Sequence, residues 1–181
     1  MMAFARRLLI GVVIVICVPA HHAAQSLADE YRLKAAFVYR FPQFVEWPPA
    51  AVQDSRTLDL CVVQPNPFGS DLEQLVSGES LNGHPLRVRV VAGTDGLPGC
   101  HALFAGAHSA TAAAVLKAAV GRPILTIGET DRFLEAGGII VLKVVERRVR
   151  FEVNTTNAQK AGLRISAQLL ALAAAVRGEP Q

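Results

Sequence analysis

Apolar positions recur at spacings of three and four through Leu33, Ala36, Phe37, Phe41, Phe44 and Val45. That period predicts a helix over residues 29–46, with Asp29 as its N-cap. Pro42 has no amide hydrogen to donate, so it must kink or divide this helix, and Trp47-Pro48-Pro49 ends it. Stripes of this spacing are more often core than cofactor box.

Further on the pattern changes to short apolar runs bounded by Gly and Pro. Leu58–Val63, His101–Ala105 and Ile124–Ile127 are expected as strands, the last two fully buried. Leu86–Val91 alternates apolar residues with Arg, the mark of a strand with one solvated or edge face. Between them, residues 68–76 and 110–120 are expected as helices, the second capped by Ser109. Phe133–Ala136 is expected as one helical turn before Gly137-Gly138. Residues 139–145 and 149–153 form a hairpin around Glu146-Arg147-Arg148, and helices over 155–163 and 166–176 close the chain. The last of these is apolar almost all round and is expected to be buried.

The order of elements predicts an α/β fold: a single layered domain with a mixed, largely parallel central sheet, flanked by helices and carrying a C-terminal β-hairpin. With 181 residues there is room for one domain and a leader.

The N-terminus supplies the leader. Arg6 and Arg7 precede the apolar run Leu8–Val18, Pro19 breaks it, and small residues follow. This is the pattern of a signal peptide over residues 1–28, cleaved after Ala20 or Ala28, with the domain over 29–181. The run is too short for a membrane span, which takes about 20 residues. Cys17 follows Ile16, where a lipobox has a small residue, so a lipid anchor is not expected. The chain has 18 Lys+Arg and 15 Asp+Glu. Without Arg6 and Arg7 the balance is 16 to 15, a net charge of +1. Nothing in that balance calls for nucleic acid or an anionic membrane.

Export also changes the cysteine count. Cys17 leaves with the leader, and Cys61 and Cys100 remain, an even pair that predicts a disulfide in an oxidising compartment. Their strands are neighbours in some doubly wound orders, which makes the bond geometrically easy.

Candidate chemistry is sparse. There is no nucleophile elbow, phosphate loop or dinucleotide fingerprint. His84, His101 and His108 lack metal-ligand spacing. His101 beside Cys100 resembles a thiol–imidazole pair, but a bonded cysteine is the stronger expectation. No catalytic residue, cofactor site or metal site is assigned. Candidate interface residues are Tyr39 and Trp47, which lie off the aromatic stripe, and Arg147, Arg148 and Arg150 on the hairpin. A charge run is usually a solvated face, while a hairpin edge also offers backbone pairing to a partner.

Several segments together resemble a known family. They are Leu33-Lys34-Ala35-Ala36-Phe37, Glu46-Trp47-Pro48, the Cys61 and Cys100 positions, Phe133 to Gly138, Phe151-Glu152-Val153-Asn154, Ala161 to Ser166, and Leu169-Leu170. In this order, from about residue 30 to 176, the chain resembles the YfiR family of bacterial periplasmic proteins. The resemblance implies a periplasmic, non-enzymatic regulator that forms homodimers and has a disulfide tied to redox control. It implies two partners: the periplasmic part of a YfiN-like inner-membrane diguanylate cyclase, which it holds off to keep cyclic-di-GMP and biofilm low, and a YfiB-like outer-membrane lipoprotein that draws it away. Some relatives have four cysteines, where this chain keeps two after processing. The alternative function is a periplasmic small-ligand-binding sensor that signals to a membrane kinase or cyclase. An enzyme is the weakest reading, because no nucleophile–base or metal set is present.

Overall fold

A computed structural model describes residues 21–178, with side chains from Ser26 onward. The leader run Leu8–Val18 and the Ala20 cleavage position lie outside the described residues. Helix α1 (His21–Arg40) is followed by a 3-10 turn (Phe41–Phe44), β1 (Val45–Glu46) and α2 (Pro49–Val52). Then come β2 (Leu58–Val63), α3 (Asp71–Val76), β3 (Ser80–Leu81), β4 (His84–Val91) and β5 (Cys100–Ala105). The chain continues through α4 (Ala112–Ala119), β6 (Leu125–Gly128), β7 (Ile140–Val145) and β8 (Arg148–Asn154). It closes with α5 (Thr155–Lys160), β9 (Arg164–Ile165), α6 (Ala167–Leu172) and β10 (Ala175–Arg177).

The main sheet has eight strands in the order β10-β8-β7-β6-β5-β2-β4-β3. Only the β7–β8 and β3–β4 pairs are antiparallel, and β1 pairs with β9 in a separate two-stranded ribbon. The fold is therefore α/β with a mixed, largely parallel sheet and the expected hairpin. Both faces are covered, which is why the central strands are continuous apolar runs. In β2, Leu60 and Val62 face one core with Phe41, Leu72, Phe104 and Phe151. Cys61 and Val63 face the other with Leu103, Val115, Leu116 and Phe133. The crossover helices take opposite sides, α3 on the first face and α4 on the second. The sheet thus has its topological switch point between the ends of β2 and β5, where such folds open a crevice.

An ion cluster fastens α1 to the sheet. Lys34 Nζ lies 2.5 Å from Glu129 Oε1 and 2.6 Å from Glu30 Oε1, with the Lys34 and Glu129 side chains 6% and 4% exposed. Glu129 also accepts from Tyr31 Oη and from the Ala107 amide. The turn after β6 is built around Phe133. A Cβ on Gly128 or Gly138 would lie 2.2 Å from its ring, so both positions exclude a side chain. Asn157 Nδ2 donates to Leu134 O and Gly138 O and ties α5 to this turn.

Several expected boundaries are corrected. Asp29 is not an N-cap; α1 starts at His21, and Asp29 sits within it, 3.4 Å from Arg32. Ser109 does not cap α4, which begins after Thr111 with no side-chain cap, and Ser109 Oγ rests 3.4 Å from Thr111 Oγ1. Phe133–Ala136 is a hydrogen-bonded turn, not a helix. α5 stops at Lys160, because Gly162 at φ +71° reverses the chain into β9. The largest difference is at the C-terminus. The expected helix 166–176 ends at Leu172 and becomes β10, parallel to β8. Nor is it buried: of α6 only Leu169 is, while Leu172 is 66% exposed and Val176 45%.

Candidate functional site

The aromatic stripe divides in two where Pro42 stops α1. The 3-10 turn rotates Phe41 into the core, at 1% exposure, and leaves Phe37 and Phe44 half-buried. The face of α1 that seals the core is Ala35, Val38 and Tyr39, not the Leu33–Phe37–Phe44 line. The expected all-core stripe is therefore corrected in part: Leu33 is 48% exposed.

That line forms one wall of an apolar groove. Its second wall is Leu169 and Leu172 of α6, its floor is Phe151 of β8, and its volume is about 220 Å³. The local fold sets this spacing. Val45 pairs with Ile165, the Ser166 amide donates to Phe44 O, and Ser166 Oγ caps α6 by accepting from Leu169 N. Helix α6 is thereby pinned beside the 3-10 turn. The rings of Phe37, Phe41 and Phe151 stack with centroids 5.0 to 5.9 Å apart, in tilted and edge geometries that add to their burial. Arg40 is the only charged residue among the described residues that line the groove.

The hairpin extends this face. Its turn places Glu146 and Arg147 at φ +49° and +61°, the conformation of a type I′ two-residue turn. Val144 pairs with Val149 and shares a sheet face with Leu142 and Phe151, so apolar surface runs from the groove to the tip. Val144 and Val145 are 47% and 51% exposed. The opposite face carries Lys143, Glu152 and Arg177. Hydrogen bonds from Lys143, against a smaller penalty from burial, hold the Glu152 carboxyl below its usual range, with Arg177 adding to it. Arg147, Arg148 and Arg150 are exposed and have no ion pair among the described residues.

The other expected interface residues lie elsewhere. Tyr39 is 8% exposed and donates to Glu79 Oε2 at 3.0 Å. Trp47 is half-buried against a cavity it shares with Leu58, Leu81 and His84, and its indole Nε1 has no partner among the described residues. β5 and β6 lie between the hairpin and β2, so Trp47 and the arginines do not form one patch.

Cys61 and Cys100 are bonded, with Cα atoms 5.8 Å apart on neighbouring strands β2 and β5. Arg89 lies across the pair, 3.5 Å from Cys61 Sγ and 3.3 Å from Cys100 Sγ, and pairs with buried Asp59 at 2.7 Å. Burial alone would raise the Asp59 carboxyl, but hydrogen bonds from Arg87 and Thr57 and the charges of Arg87 and Arg89 hold it below its usual range. His101 is buried, and burial pushes its imidazole down; its Nδ1 accepts from the Asp59 amide. It serves this scaffold and does not face the bonded sulfurs as a base. No group of three metal-ligating side chains occurs among the described residues, and no described helix is long and apolar enough to cross a membrane.

Sequence reasoning missed the groove because the partners of the α1 stripe, Phe151 and Leu172, lie more than a hundred residues away.

Two solved structures resemble the fold, each with a TM-score of 0.47 over 71% of this chain. One is a conserved domain protein from Vibrio cholerae O1 biovar eltor, at 10% identity. The other is an ABC domain in complex with L-Trp from Streptococcus pneumonia, at 12%. This chain spans 57% of the length of either. The YfiR/HmsC-like family model matches residues 31–174, which takes in the groove, the disulfide and the hairpin. Proteins of this family are associated with periplasmic regulation of cyclic-di-GMP signalling. The chain belongs to the YfiR/HmsC-like family.

Proposed function

We propose that this protein is a periplasmic, non-enzymatic regulator that binds the periplasmic part of an inner-membrane diguanylate cyclase and holds it inactive, lowering cyclic-di-GMP. The observation that carries the reading is the groove between α1 and α6, walled by Leu33, Phe37, Phe44 and Leu172. Large apolar side chains left open in one continuous patch mark interaction surfaces in soluble proteins. The groove has the size to take one or two apolar anchors. Arg40 in its lining and Arg147 at the hairpin tip favour a partner segment with acidic residues beside those anchors, while Arg148 and Arg150 lie on the other face of the hairpin with Lys143. A YfiB-like outer-membrane lipoprotein that competes for the regulator, and a homodimer, belong to the same proposal.

Leu33→Asp/Leu172→Asp tests it. Both side chains are about half exposed or more, so the fold tolerates the change while the groove gains two charges. In cells carrying the cyclase, the variant is expected to lose repression, raising cyclic-di-GMP to the level of the deletion strain. Full repression by a variant present at normal abundance would rule the groove out.

A further inference from the structure

On the opposite face of the sheet from the groove, a cavity of about 460 Å³ opens between α4 and the turn after β6. It lies at the C-terminal ends of β5 and β6, next to the switch point where α/β sheets hold their ligands. Its volume is within the range of small-molecule sites, roughly 300–1,000 Å³. Leu116 and Phe133 supply an apolar floor, and Phe133 is locked in place between Gly128 and Gly138. Small residues of β5, α4 and the turn line most of the rest, and the polar side chains among them are the hydroxyls of Ser109 and Thr130 and the cations of Lys117 and Arg132. Among the described residues no carboxylate lines the cavity, and neither cation has an ion pair. Glu129, just after β6, is committed to Lys34, Tyr31 and Ala107, and Asp131 and Glu135 of the same turn are exposed and outside the lining.

We propose that this cavity binds a small organic anion. The apolar or aromatic body rests on Phe133 and Leu116. Its carboxylate or phosphate lies between Lys117 and Arg132, whose N–H groups donate to it. The hydroxyls of Ser109 and Thr130 donate to the remaining oxygens. A cationic ligand is disfavoured by two unpaired positive charges, and a purely apolar one leaves both hydroxyls without a role. The site does not depend on the groove, so either can fail without the other.

Phenyl phosphate is the probe, with benzyl alcohol as its uncharged counterpart, each titrated into the ¹⁵N-labelled mature protein. The expected result is saturable shifts at the amides of Ser109, Lys117, Thr130 and Phe133, with phenyl phosphate binding at least tenfold tighter than the alcohol. Lys117→Gln/Arg132→Gln is expected to weaken phenyl phosphate at least tenfold and leave the thermal melt unchanged, since both residues are exposed. Independently of any variant, raising the salt to about 0.5 M is expected to weaken phenyl phosphate and not the alcohol. The proposal is overturned by equal affinity for the two probes, by no saturable shift, by unchanged binding in the double variant, or by shifts confined to Phe37 and Leu172 in the groove.

Discussion

Replacing Lys34 with Met isolates the ion cluster that holds α1. Met keeps most of the apolar stem and removes the charge. Glu129, 4% exposed, is left among the described residues with the Tyr31 hydroxyl and the Ala107 amide. Breaking a buried pair from one side costs about 3–5 kcal/mol, because the surviving charge stays buried without its partner. Glu30 is more exposed, at 29%, and contributes at most about 1 kcal/mol. Lys34→Met/Glu129→Gln removes the orphaned charge while Gln still accepts from Ala107. The double variant is expected to recover most of the loss, leaving a coupling of at least about 2 kcal/mol. Urea denaturation of the four proteins followed by circular dichroism measures the cycle. The cluster also predicts a pH dependence. Burial by itself lowers the Lys34 pKa, but its hydrogen bonds to Glu129 and Glu30 and their charges bring it above the ordinary value. Such a group contributes fully below the unfolded pKa, about 10.4, and its contribution is lost as pH rises through the folded value. The gap between wild type and Lys34→Met should therefore shrink in strong alkali. A single-variant cost below about 1 kcal/mol, or a double variant no more stable than Lys34→Met, would refute the reasoning.

Other perturbations test the rest of the scaffold. Phe41→Ala empties a site that is 1% exposed and stacked on Phe151, and should cost about 3–5 kcal/mol by thermal or urea unfolding; a cost under about 1 would remove Phe41 from the core. Cys61→Ala/Cys100→Ala opens a link across 39 residues and should lower stability by about 4 kcal/mol in the chain-entropy model, while non-reducing mass spectrometry of the exported wild type should show one linked pair. Asp59, held below its ordinary carboxylate value, contributes stability that is present above about pH 4 and lost as pH falls through the folded pKa. Urea midpoints of Asp59→Asn should accordingly fall less steeply than wild type in acid; parallel slopes would contradict the assignment.

Some of this was legible in the chain and some was not, for physical reasons. Leu58–Val63, His101–Ala105 and Ile124–Ile127 stood out because a parallel strand buried on both faces needs an unbroken apolar run. The cysteine pair followed from export and parity, and the hairpin from two β-rich runs about one turn. What periodicity does not contain is the identity of the covering surface. Leu33, Phe37, Phe41 and Phe44 share one helical spacing, yet Phe41 turns inward beside Pro42 as a buried part of the groove lining, while the others stay partly open on it. The run Ala167–Val176 has the composition of a buried helix, but α6 stops at Leu172 and the chain joins the edge of the sheet. Lys34 and Glu129 are 95 residues apart, and no local pattern links them. Phe133 to Gly138 reads as a motif in the chain, and the contact of Phe133 with two glycines explains it only once the turn is folded.

The groove is tested most directly by titrating the purified periplasmic part of the proposed partner cyclase with wild-type protein and with Leu33→Asp/Leu172→Asp. Calorimetry should give saturable binding to the wild type. It should show at least a hundredfold weaker binding to the variant, with both proteins melting at the same temperature. Equal affinity for the two would contradict a docking site between α1 and α6.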